Sequence, residues 1–242
     1  MYNILISTSV ALLLFLLLTL ATGLTWWLSL LISLPVMMGC FYLISRLVMK
    51  RVMAIMETAS RDLQGQRVEK AVRELQSAFR YGKWQIYVTG QLNAQIGMIY
   101  YMKRDFSAAF PYLEKAFFKN WVALGMLAIT YMKRNKSDKM RKTFEKALQW
   151  SSRESLLWNL YAYCLLESGK PDKARESLER GLKKLPGDEH IKGNLALLGE
   201  GKKMKMRGFG DMWFQFHLES VGALQKRQIA AMGGAKRRII RK

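Results

Sequence analysis

The residues able to do chemistry are few and scattered. His190 and His217 are the only histidines, and neither has Cys or carboxylate neighbours at metal-ligand spacing. Cys40 and Cys164 are the only cysteines. One falls in an apolar run and the other inside a repeat helix, so both are expected to stay free and to pack as small apolar side chains. Glu154 and Glu167 are the carboxylates to consider for acid–base work, yet they read more simply as solvated helix residues. Gly208-Phe209-Gly210 is a fragment of a dinucleotide fingerprint and follows no strand. There is no phosphate loop and no C-x2-C pair. Asn135-Lys136-Ser137 matches the glycosylation sequon, which has no meaning in a cytoplasmic segment. The chemistry to expect is therefore recognition rather than catalysis, with no cofactor and no metal.

Recognition needs elements that present a surface, and the charge pattern divides the chain into two kinds. No Asp, Glu, Lys, Arg or His occurs from Met1 to Ser45. Ile4 to Ala21 and Trp26 to Ser45 are almost wholly apolar. As helices each reaches about 27–30 Å, the thickness of a hydrocarbon core. Ala21-Thr22-Gly23 supplies the turn, and Trp26 and Trp27 stand where an interfacial aromatic belt would place them. Pro35 is expected to kink the second span. The pair reads as a two-helix transmembrane hairpin over 1–48. A signal peptide has a basic n-region that is missing here, and a helix lying in the membrane plane has a charged face that is also missing. Arg46, Lys50, Arg51 and Arg61 follow the second span, and the inter-span turn has no Lys or Arg. The positive-inside rule puts the C-terminal domain in the cytoplasm, at the inner membrane.

The net charge of +21 belongs wholly to the part beyond Ser45. It calls for an anionic partner: a phospholipid surface, a nucleic acid or an acidic protein. A nucleic acid is the alternative reading of that charge, but no recognised nucleic-acid fold accompanies it.

Residues 49–200 carry a repeating order of small and large side chains. In the segment NAQIGMIYYMKRDFSAAFPYLEKAF, Ile96-Gly97 is followed by Tyr100, and Ala109 leads to Leu113 and Ala116. Leu124, Leu127, Ala128 and Tyr131 then lead to Phe144 and Ala147, with Met140 in place of a small residue. Trp158, Tyr161, Ala162 and Leu165 lead to Ala174, Leu178 and Gly181, and Pro186 closes the unit. A weaker unit precedes these, with Met53 to Gln64 as its first helix and Ala71, Leu75 and Ala78 on its second. This order resembles the tetratricopeptide repeat (TPR), a helix pair of about 34 residues in which small residues admit close helix contact. The resemblance implies an all-α fold: the hairpin, a TPR-like α-solenoid with a capping helix over Glu189 to Leu198, and a C-terminal helix. Tyr81 to Val88 lengthens one junction, and the second and third units begin unusually close together.

What the resemblance implies for function is a protein-binding groove lined by the first helix of each repeat. On this register Gln91, Ala94, Gln95, Met98 and Tyr101 line it, followed by Met126 and Ile129, then Asn159, Tyr163 and Leu166. Of the carboxylate clamp found in chaperone-binding members, only Asn159 matches. The groove reads as apolar and Met-rich, suited to a peptide or an amphipathic helix.

Residues 201–242 form a basic linker, a helix and a tail. Asp211 is the expected N-cap of a helix running to about Met232, with Phe214, Leu218, Val221 and Leu224 near one face. Three uses stay open for it. It covers the last repeat's apolar face, it docks on the anionic leaflet with the tail, or it occupies the groove of its own or another protomer. In the tail, Lys236, Arg237, Arg238, Arg241 and Lys242 are the candidate contacts for anionic lipid, each worth about 1 kcal/mol near such a surface. The sum is a membrane-anchored scaffold or assembly factor that binds proteins.

Overall fold

With neither a charge nor a helix breaker in the way, the first apolar run forms α1 (Tyr2–Ala21) in the computed structural model, which describes residues 1–219. Gly23, at φ 63, turns the chain in a conformation that favours a residue without a Cβ. α2 (Trp26–Gln64) then continues for 39 residues. It runs straight through the boundary expected at residue 48, because nothing between Ser45 and Gln64 stops a helix. Pro35 lies inside it without ending it.

The hairpin closes on small and polar side chains. Asn3, Ser7 and Ala11 are buried on one edge of α1, and Ser29 and Ser33 on α2. Asn3 Nδ2 donates to Ser45 Oγ at 3.2 Å, and Ser7 Oγ donates to the Asn3 carbonyl at 2.8 Å. Small residues four apart let two backbones approach, as they do between helices in lipid. The large aliphatic side chains point the other way, with Leu13 and Leu31 each more than 60% exposed (67% and 62%). Both helices are long and apolar enough to cross a membrane, with mean hydropathies of 2.6 and 2.0.

Beyond the hairpin come helix pairs. The far half of α2 pairs with α3 (Val68–Ser77), and α4 (Val88–Met102) with α5 (Phe106–Glu114). α6 (Trp121–Lys133) precedes α7 (Ser137–Trp150), and α8 (Ser155–Glu167) pairs with α9 (Pro171–Lys184). α10 (Glu189–Gly199) follows without a full partner. Among the described residues there is no strand. The fold is all-α, an apolar hairpin followed by a TPR-like α-solenoid. It packs as two compact units, Met1–Ala123 and the chain from Leu124 onward.

The small residues singled out in the sequence sit where helices touch. A Cβ on Gly97 would lie 2.8 Å from Leu113, and one on Gly181 would lie 2.8 Å from Trp158. Ala71, Leu75 and Ala78 of the weak first unit are buried with Val52, Leu92 and Ile96. In the second unit Ala128, Ala162 and Ala174 are fully buried, as is Met140.

The turns inside the pairs share one geometry that the sequence does not announce. Gln66, Arg104, Asn135, Gly169 and Gly201 all have positive φ, between 56 and 70. The amide after each donates five residues back: Arg67 to Asp62, Asp105 to Tyr100, Lys136 to Tyr131, Lys170 to Leu165 and Lys202 to Leu197, at 2.8–3.0 Å. These are Schellman turns, which satisfy the last carbonyls of a helix. The fifth closes α10, so α10 ends as the first helix of a repeat does.

The C-terminal helix is shorter than expected. α11 (Asp211–Phe214) is a single turn. Gly210, at φ 59, takes the cap position assigned to Asp211, and His217, at φ 50, prevents continuation toward Glu219. The remainder of the predicted helix, including Val221 and Leu224, lies outside the described residues, as does the basic tail from Lys236 to Lys242.

Candidate protein-binding surfaces

Within the first unit, α4 presents Gln91 and Gln95 one turn apart, so both side chains share a face. Met56 from α2 stands opposite. Phe117, Lys119, Asn120, Trp121 and Val122 complete a hollow of about 480 Å³. Asn120 Oδ1 accepts from the Ala123 amide at 3.1 Å, which fixes the chain at the hollow's edge. Two of the residues expected to line a groove therefore do line one, and Met98 is half-buried. Tyr101 does not: it is fully buried, with its ring edge-on to Phe106 at 5.0 Å. The repeat register does not single out Met56 or the five residues from 117 to 122, because three of those five come from the connection, two from the first turn of α6, and Met56 from the long helix α2.

In the second unit the register misplaces three more residues. Met126 and Ile129 are core residues of α6. Asn159 is fully buried and engaged: its Oδ1 accepts from Asn194 Nδ2 at 2.8 Å, and its Nδ2 donates to the Ser155 carbonyl at 2.9 Å. Asn194 Oδ1 in turn accepts from the Lys205 amide at 2.7 Å. A buried amide needs such partners, and this relay uses them to hold the linker against α8 and α10. The one match to a carboxylate clamp is thus a structural asparagine.

Tyr163 and Leu166 remain at a surface, and they line a cavity of about 1080 Å³ together with Met206, Trp213 and Leu218. The chain's own C-terminal segment forms one wall. The Trp213 ring meets Tyr163 edge-on at 5.0 Å. Phe216 lies over α6, where a Cβ on Gly125 would come within 3.2 Å of its ring. Both aromatics are essentially inaccessible, at 1% and 0%. Trp213 Nε1 donates to Glu219 Oε1 at 3.0 Å, and Arg207 Nε donates to the same oxygen at 3.2 Å. Of the three uses open to this segment, the described part takes a place on the inner helices α6 and α8 of its own chain.

Electrostatics in this unit are structural in character. Glu145 of α7 accepts two 2.7 Å hydrogen bonds from Arg180 of α9. Arg180 also lies over the Trp158 ring at 5.6 Å, and Tyr161 stacks on Phe144 at 4.9 Å. The Arg180 hydrogen bond pulls the Glu145 carboxyl below its ordinary range. Burial, reinforced by Glu145, pushes Tyr161 up to about 12. Burial, reinforced by Glu167, does the same to Tyr163, up to about 12. Burial also pushes the Cys164 thiol up, and both cysteines are free. Glu154 and Glu167 flank α8 at opposite ends, about 20 Å apart by helix rise, so they form no pair. His190 packs against Phe209 with ring centroids 4.3 Å apart. Among the described residues no three His, Cys, Asp or Glu come together to hold a metal.

Two tetratricopeptide-repeat family models match the chain, over residues 122–153 and 141–198. No curated protein matches it. The matched stretch runs from α6 to α10, so this part of the chain consists of TPR helix pairs. The unit from Val88 to Glu114 lies outside it, although its residues follow the same order and its turn has the same hydrogen bonds.

Proposed function

We propose that this protein is a membrane-anchored TPR scaffold or assembly factor. On this reading the hairpin sits in the inner membrane, and the repeats bind partner proteins at its cytoplasmic face without catalysing a reaction. The observation that carries the reading is the double role of α2. One unbroken helix is both the second apolar segment and the first helix of the repeat array. An apolar hairpin with its leucines outward has no place in water. The basic residues Arg46, Lys50 and Arg51 favour the cytoplasmic side for everything that follows.

For the partner, the matched repeats support protein binding, and the hollow around Gln91 and Gln95 is the open face. Its mixture of Met56, Phe117 and Trp121 with amide side chains suits a helix or peptide with one apolar side. Photocrosslinking amino acids at Gln91 and Gln95 of the full chain, expressed in cells, should give a recurrent protein adduct in the membrane fraction. The same residue placed at exposed Lys173 on α9 should not give that adduct. Equal labelling at all three positions, or none at the two glutamines, would rule out the hollow as the binding face. Loss of the protein from membranes on alkaline carbonate washing would rule out the anchor.

A further inference from the structure

The link between α3 and α4 is longer than the repeat requires. Ten residues (78–87) join these helices, where four (151–154) suffice between α7 and α8. The extra length goes to the end of the hairpin. The Trp84 ring meets the Tyr2 ring edge-on at 5.4 Å. Asn3 Nδ2 donates both to Ser45 Oγ, at 3.2 Å, and to Gln85 Oε1, at 3.5 Å. Ser45 is the last residue before the first charge, Arg46. Asn3 therefore ties the link to the level at which the apolar segments end.

What the link displays at that level is aromatic, aliphatic and basic. Ile86 and Tyr87 are adjacent and about half exposed, at 56% and 48%. Arg80 and Lys83 are exposed, and neither forms an ion pair among the described residues. Tyr87 is backed by Phe117 at 5.0 Å and Phe118 at 6.0 Å, so its ring is supported. In water two adjacent exposed apolar side chains gain nothing. At a bilayer surface Trp and Tyr are the preferred residues at headgroup level, and each Lys or Arg gains from anionic lipid.

We infer that residues 80–87 form a second membrane contact, an interfacial loop resting on the anionic phospholipid surface. Trp84, Ile86 and Tyr87 lie at the boundary of headgroups and acyl chains, and Arg80 and Lys83 face the phosphates. This rests on the membrane reading proposed above. It gives the array two points of attachment, α2 and this loop.

The test uses the full chain, with Cys40→Ala, reconstituted into vesicles of phosphatidylcholine and phosphatidylglycerol. Cys164 is fully buried and stays unlabelled in the native protein. An environment-sensitive fluorophore is placed at Ile86→Cys, and in a second protein at Leu31→Cys. Quenching is read with lipids carrying a nitroxide near the headgroup or near the chain end. The expected result is that the label at position 86 is quenched mainly by the shallow nitroxide and the label at position 31 mainly by the deep one. Arg80→Glu with Lys83→Glu should lower quenching at position 86 at least about twofold and leave position 31 unchanged, given the contribution of each basic residue near an anionic surface. Quenching at position 31 with none at position 86 would overturn the loop contact and leave the anchor standing. Absence of quenching at both positions would overturn the two together.

Discussion

Arg104 and Gln66 hold backbone conformations that L-residues disfavour by about 1–2 kcal/mol. Arg104→Gly and Gln66→Gly should each raise the stability of the solubilised full chain by roughly 0.5–1 kcal/mol, after the greater freedom of glycine in the unfolded chain is subtracted. Gly169→Ala should lower it by about 1 kcal/mol for the converse reason. Denaturant titration followed by circular dichroism reads all three, and a destabilised Arg104→Gly would show that the side chain contributes more than its conformation costs. Cys164 supplies a second prediction. It is inaccessible and its thiol is held up by burial, so thiol reagents should modify it only at the rate of unfolding. Little of this was legible beforehand. Gly169 in the segment GKPD reads as a turn, but nothing in the residue types of Gln66 or Arg104 marks a left-handed position. That demand comes from the hydrogen bonds of a turn whose neighbours fix it. Asn159 misleads for a related reason: a polar residue on an inner helix looks exposed until its partner, Asn194, is known to lie beside it.

At the scale of elements, α6 and α8 are apolar on every side, so periodicity does not say which face is inward. Met126 and Ile129 of α6 are core residues on that account, and Tyr101 of α4 is buried against Phe106, although the repeat register puts all three in a groove. The C-terminal segment is the element whose role depends most on the structure. Phe216 packs closely over residue 125, where a Cβ would lie 3.2 Å from its ring and 3.1 Å from Leu160. Gly125→Leu should dislodge the segment and make the Lys205–Glu219 stretch sensitive to limited proteolysis, while Phe216→Ala should cost about 3–5 kcal/mol in the second unit. Mass spectrometry of the first fragments checks the former. Cleavage elsewhere first would mean that the segment is held mainly by the Asn159–Asn194 relay. Truncation before Arg207 is expected to bare Tyr163, Leu166 and Gly125 together, and so to turn an occupied face into an apolar one.

For the molecule as a whole, pH reports on the contact between α7 and α9. The Glu145 carboxyl is held below its ordinary value, so its contribution is present at neutral pH and is lost as pH falls below about 4.5 through the lower folded value. Tyr161 and Tyr163 are shifted the other way. Their neutral forms are favoured in the fold, so their contribution is full below pH 10.0 and disappears as pH rises toward about 12. Tyrosinate absorbance should accordingly show two groups ionising near 12 and shifting back toward 10 on denaturation. Tyr161→Phe should remove one of them. Because Glu145 and Arg180 are partly exposed, the acid effect should weaken in high salt. At this scale the sequence served well. The absence of charge before Arg46 and the spacing of small residues state the hairpin and the helix pairs, since both follow from composition and period alone.

α2 carries one further consequence. A domain joined to its anchor by a flexible linker sweeps out a volume, and its effective concentration for a partner depends on linker length. Here the connection is a helical rod, and about 28 Å of it extends past Ser45. The helix pairs packed on α2 in the first unit have no slack. On the membrane reading proposed above, a partner that shares the membrane meets the first unit at fixed height by diffusion in two dimensions, and lengthening the rod by whole turns, rather than loosening it, is the change that would retune the encounter.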